Sequence, residues 1–141
     1  MIVTKHIWSM ALVLTFGMAV YGCTSLPETS RTASVHDIKV EEKLSPDNIV
    51  IQPGDEVRWV NLRKLPVQVD VPDLQLEDLS CQRGFTNPMG SLRESAQLNP
   101  NETAALCFKK AAVVNYNVRA ETSLGGGKQV MSGVVRVGNP Q

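Results

Sequence analysis

Histidine is nearly absent. The 141 residues hold two, His6 and His36. Paired carboxylates at a motif are missing as well, and no Ser/His/Asp set can be assembled for nucleophilic catalysis. The chain therefore reads as a protein that is not an enzyme. Net charge is also lacking: 14 Lys and Arg face 14 Asp and Glu, with a pI near 6.7. No basic stripe interrupts that balance, so nothing provides the electrostatic footprint of a nucleic-acid binder. No segment keeps a helical hydrophobic period, no internal repeat is visible, and no apolar run reaches the roughly 20 residues needed to span a bilayer.

One shorter apolar run is present. "IWSMALVLTFGMAV" follows the single Lys of "MIVTKH" and ends in "YGC". Its length suits the apolar region of a signal peptide. Gly22 directly precedes Cys23, an arrangement that resembles a bacterial lipobox. The resemblance implies cleavage after residue 22 and lipidation of Cys23. Thr24 stands where retention at the inner membrane usually needs Asp, which implies the periplasmic face of the outer membrane. The stretch from Cys23 to residue 35, "CTSLPETSRTASV", is rich in Ser and Thr and reads as a flexible tether. A domain of 36–141 follows, long enough for its own core.

Three cysteines become one lipidated residue and a pair, Cys81 and Cys107. In an oxidising compartment an even pair reads as a disulfide. It would close a loop of about 25 residues, worth roughly 3–4 kcal/mol in the chain-entropy treatment. The rival reading is a pair of thiolates holding metal.

Along the mature chain the dominant period is two. "HDIKVEE" sets Ile38 and Val40 on one face, "EVRWVNL" sets Val57 and Trp59 together, and "VQVDV" aligns Val67, Val69 and Val71. "NIVIQ" and "PGD" add a short strand and a turn. The pattern breaks between 72 and 99, where "LQLEDL" suits one helical turn and the rest reads as one long loop containing Cys81. Strands return in "ETAALCFK", entered through Asn101 in a left-handed conformation, then in "VVNYNVRA" and "SGVVRVG". Short strands punctuated by Gly, Pro and Asn predict an all-β sandwich.

Three blocks, "IVIQPGDEVRWVN", "LNPNETAALCFKKAAVVNY" and "MSGVVRV", resemble in order and spacing the cupredoxin family of plastocyanin-like electron carriers. The resemblance spans roughly 36–138 and implies a Greek-key β-sandwich. A blue-copper site there needs two imidazoles and a thiolate in a plane, with an axial thioether. The resemblance places the first imidazole directly behind a Pro; here Pro66 is followed by Val67. The thiolate position falls on Val118, or on Ala120 with a shift of two, and the second imidazole on Glu121 or the two residues after it. Only Met131 matches the ligand set. His36, the single mature histidine, reads as an exposed residue at a strand start. Valine in place of an unmetallated ligand avoids about 1–3 kcal/mol of unpaired burial.

The sequence thus predicts no metal, no cofactor and an anchored binding or structural module for another envelope protein. The 72–99 loop is the candidate interface, with Arg83, Phe85 and Met89 as anchors. The alternatives are copper handling by the soft ligands Cys81, Cys107, Met89 and Met131, or a degenerate relative of a periplasmic electron carrier. "LGGGKQ" at 124–129 lacks the spacing of a phosphate loop and precedes a strand rather than a helix.

Overall fold

Strands form wherever the two-residue period is kept. The computed structural model describes residues 33–122 and 126–139. The signal segment, Cys23 and the tether to residue 32 lie outside the described residues. The described residues form ten strands: β1 (Val35–Val40), β2 (Leu44–Ser45), β3 (Asn48–Ile51), β4 (Glu56–Asn61), β5 (Val67–Asp70), β6 (Leu79–Cys81), β7 (Ser95–Leu98), β8 (Thr103–Phe108), β9 (Ala112–Glu121) and β10 (Lys128–Val137). Among the described residues the only helical element is a single 3-10 turn at Leu76–Asp78, within the predicted "LQLEDL".

The strands make two five-stranded sheets. The first has the order β2-β1-β4-β8-β6 and the second β3-β10-β9-β5-β7. Pairing is antiparallel except for β1 with β4 and β3 with β10. Only the β1–β2 and β9–β10 connections stay within a sheet; every other link crosses between them. The result is a cupredoxin-like Greek-key β-sandwich.

Alternation decides which side chains meet between the sheets. Val57 and Trp59 of β4 are fully buried, as are Tyr116 and Val118 of β9. Trp59 meets Tyr116 edge to face at 5.3 Å and 71°, and Phe85 at 5.8 Å and 67°. Such pairs contribute about 0.5–1.5 kcal/mol each beyond their burial. The Tyr116 hydroxyl donates to the Asp47 carbonyl at 3.1 Å, and burial raises its pKa well above the ordinary phenol value. Gly133 of β10 is the register partner of Tyr116, and a Cβ there would collide with the phenol and with the Asp47 carbonyl.

The segment 72–99 is more ordered than one loop. It holds the 3-10 turn, β6, a Thr86–Leu92 bridge and β7. It runs from the edge of the first sheet to the edge of the second, so it closes the side of the sandwich. This corrects the expectation for Phe85, whose ring is fully buried against Trp59 and cannot serve as a surface anchor. Two turns carry the positive φ their roles demand. Gly54 (φ 93°) follows Pro53, and Asn101 (φ 66°) takes the left-handed position expected of it.

At the end of the sandwich where the chain enters, Asp55 is a buried carboxylate. It accepts from the Ser34 amide (2.9 Å), the Gln52 amide (2.9 Å) and His36 Nε2 (3.0 Å). His36 does start a strand, but its side chain is half-buried on Asp55 rather than exposed. The Gln52 amide, followed by Ser34 and His36, holds the Asp55 carboxyl below its usual range against the opposing effect of burial.

Two predictions follow from this packing. Gly133→Ala should cost about 1–3 kcal/mol in urea unfolding, because the added methyl has no free space; an unchanged midpoint would contradict the close approach to Tyr116. A depressed folded-state pKa gives Asp55 a stabilising contribution at neutral pH. That contribution is lost as pH falls from the ordinary carboxylate value, about 3.9, through the lower folded value. Asp55→Asn should therefore destabilise at pH 7 much more than at pH 3, and an equal loss at both would refute the assignment.

Candidate functional site

β4 runs from Glu56 at the chain-entry end to Asn61 at the far end, and the positions that would carry a copper site collect at the far end. Val67 opens β5 and stands opposite Ala120, while Val69 stands opposite Val118, which in turn faces Met131 on β10. All of these side chains point between the sheets and are buried; Val67 is 2% exposed, Val118 0% and Met131 9%. Of the two candidate thiolate positions, Ala120 is the one beside Val67, and Val118 lies two register positions deeper. Glu121 is exposed. Among the described residues the only histidine is His36, and it lies at the chain-entry end beside Asp55. The donor set at the far end is one thioether in an aliphatic cluster, which does not fit a blue-copper ion.

Polar groups around this cluster are used to close it. Asn61 is fully buried. Its amide donates to the carbonyls of Leu65 and Leu98, both at 3.0 Å, and its side-chain oxygen accepts the Arg63 amide at 2.9 Å. One side chain thus ties β4 of the first sheet to β7 of the second and shapes the turn from β4 to β5. Arg63 spans the outside of the same end, donating to the Glu41 carbonyl at 2.8 Å and the Glu121 carbonyl at 3.0 Å. Gln129 donates to the Glu42 carbonyl at 2.9 Å, and Thr122 binds the Gly127 carbonyl through both amide and hydroxyl. A shallow groove of about 520 Å³ remains between residues 41–43 and 62–65. Sequence reasoning missed the Arg63 clamp, because its acceptors are backbone carbonyls far away in sequence. Asn61 carried a readable signal: a polar residue in phase with Val57 and Trp59 on a core-facing strand.

The cysteine pair lies elsewhere. Cys81 and Cys107 form a disulfide with S–S 2.08 Å and a sequence separation of 26. It joins β6 to β8 on the outer face of the first sheet, at the chain-entry end. Met131 sits on the inner face of the other sheet, so the proposed soft-ligand set of Cys81, Cys107, Met89 and Met131 is not brought together. Arg83 pairs with Glu56 at 3.0 Å. Met89 is 91% exposed at the tip of a tight turn. Asn87 Oδ1 holds that turn by accepting the amides of Met89 (3.0 Å) and Ser91 (2.8 Å). Of the three predicted interface anchors, Arg83 and Met89 are therefore at the surface and Phe85 is not.

No family model matches the chain, and no curated protein matches it. Among solved structures it is similar to a mutant of amicyanin, Cu(I), with 15% identity, 74% of this chain and 83% of that chain covered, and a TM-score of 0.47. It is similar also to a reduced Cu(I) form of an amicyanin mutant at pH 4, with 19% identity, coverage of 79% and 87%, and a TM-score of 0.45. A mutant of amicyanin in the oxidised state gives 20% identity with the same coverage and TM-score. Strand order and register, rather than these values, define the fold.

Asn61→Ala should cost about 2–3 kcal/mol, because it strips buried carbonyls of their donors. Asn61→Asp should cost more at neutral pH, since a carboxylate would then face the Leu65 and Leu98 carbonyls. Urea unfolding measures both, and a loss below about 0.5 kcal/mol, the level of an ordinary surface change, would remove Asn61 from its central role.

Proposed function

We propose that the chain is a lipid-anchored domain of the cell envelope, held through Cys23 at the periplasmic face of the outer membrane. It acts there as a non-enzymatic binding or structural module for another envelope protein. One observation carries this reading: the places where a cupredoxin would hold its ion are occupied by Val67, Ala120 and Val118, packed into the core. A buried imidazole or thiolate needs its metal or a hydrogen-bond partner. Valine needs neither and suits a pleated strand. The far end is then free of a cofactor's demands, and Asn61 and Arg63 hold it shut.

The contact surface in this reading is the turn that displays Met89, with Arg83 beside the disulfide. The turn is held by Asn87 and by the Thr86–Leu92 bridge, so little conformational freedom is lost when it docks. An exposed methionine on a rigid tip offers an adaptable apolar contact.

Three measurements test the reading. Cys23→Ala should move the chain from the membrane to the soluble fraction; a chain that stays membrane-bound would refute the anchor. A photo-crosslinking residue at Met89 should give a discrete adduct in intact cells that the same reporter at Val113 does not. Equal or absent labelling would remove the turn as the contact. Copper should leave the melting temperature of the disulfide-bonded protein unchanged. A ligand at a hundredfold excess over its Kd adds about 2.7 kcal/mol, roughly ten degrees or more for a domain of this size. A rise of that order would overturn the metal-free assignment.

A further inference from the structure

We propose that Glu56, Cys81 and Cys107 form a zinc site once the disulfide is reduced. The register places them in one row across the outer face of the first sheet, Glu56 opposite Cys107 and Cys107 opposite Cys81. Their ligand atoms all lie within 4.8 Å of one another. Ligands around a tetrahedral zinc ion, with bonds of about 2.0–2.3 Å, stand roughly 3.5 Å apart. The Cα atoms of the two cysteines are 4.8 Å apart, so rotation about the Cα–Cβ bonds is enough to bring the freed thiolates to ligand spacing.

The backbone that holds the row does not depend on the sulfur bridge. Leu79 pairs with Phe108, the Lys109 amide donates to the Asp78 carbonyl at 2.8 Å, and the Ala105 amide donates to the Arg83 carbonyl at 2.8 Å. Charge is also provided for. Two thiolates and a carboxylate around Zn(II) leave one net negative charge. The Arg83 guanidinium, 3.0 Å from Glu56 Oε1, offsets it while orienting the carboxylate and leaving Oε2 for the ion. The row sits beside the edge strand β6 with Glu56 and Cys81 half-buried, and solvent can supply a fourth ligand there.

Opening the site needs a dithiol reductant such as a thiol–disulfide oxidoreductase. A thiolate of that partner attacks one sulfur, and exchange finishes with the partner's own disulfide formed. Two electrons and two protons pass to Cys81 and Cys107, giving two thiols. Zinc binding then releases those two protons to water. The carboxylate selects the metal: a borderline ion such as Zn(II) uses two thiolates and one oxygen, whereas Cu(I) would take the sulfurs and ignore Glu56.

The test uses the full chain, reduced anaerobically with a phosphine and titrated with Zn(II) in competition with a chromophoric chelator. The reduced chain should bind one zinc and release two protons, and the oxidised chain should bind none. Glu56→Gln should weaken binding at least tenfold, while Glu102→Gln should leave it unchanged. Equal uptake by reduced and oxidised chains would overturn the proposal, as would an affinity indifferent to Glu56→Gln. Far-UV circular dichroism covers the case in which reduction loosens the fold. Zinc should then restore the strand signal in the wild-type chain and not in Glu56→Gln, and failure to restore it would equally overturn the site.

Discussion

The sandwich is held together at Trp59. Its indole lies between the two sheets, with Tyr116 of the second sheet against one side and Phe85 of the closing segment against another. Everything around it is cut to fit. Gly133 is small because the Tyr116 phenol needs the space, and the phenol in turn reaches the Asp47 carbonyl. The cluster has a cost: Trp59 Nε1 is buried with the Tyr116 hydroxyl nearby but no hydrogen bond of good geometry among the described residues, a loss of up to about 1–3 kcal/mol. Three large rings in edge-to-face contact, with the area they bury, outweigh it.

The two ends of the sandwich are organised differently. At the far end polarity is turned inward to close the structure. Asn61 ties one sheet to the other, and Arg63 spends its guanidinium on backbone carbonyls. The cluster beneath is aliphatic apart from the Met131 thioether. At the chain-entry end one carboxylate is buried and fully partnered, and the other polar groups lie on the outer face. Asp55 takes two amides and His36, while Glu56, Arg83 and the disulfide share one row of the outer face.

The long segment between β5 and β8 connects these features. Its disulfide pins it to the first sheet, Phe85 pins it to the core, and β7 pins it to the second sheet. Between those points the chain projects one rigid turn with Met89 at the tip. Order at the base and exposure at the tip are thus two results of the same three attachments.

The sequence alone determined the strands that keep a two-residue period, which puts Val57 with Trp59 and Val67 with Val69 whatever their partners are; the short β2, β6 and β7 fall in stretches without a sustained period and were not legible. It determined the turn at Asn101, a left-handed position that asparagine tolerates. It also limited the metal chemistry, because residues 36–141 hold one histidine and a blue-copper site needs two imidazoles. The disulfide was one of two readings, and only the pairing of β6 with β8 brought the sulfurs together. Only the tertiary structure decided that Ala120 rather than Val118 sits beside Val67, because register between strands is not written in either strand. Only it buried Phe85, whose local segment has no period to mark a face and whose burial depends on a crossing between two sheets. The Glu56–Cys107–Cys81 row likewise joins residues from three strands, and side-chain chemistry in such a row exists only after the strands have paired.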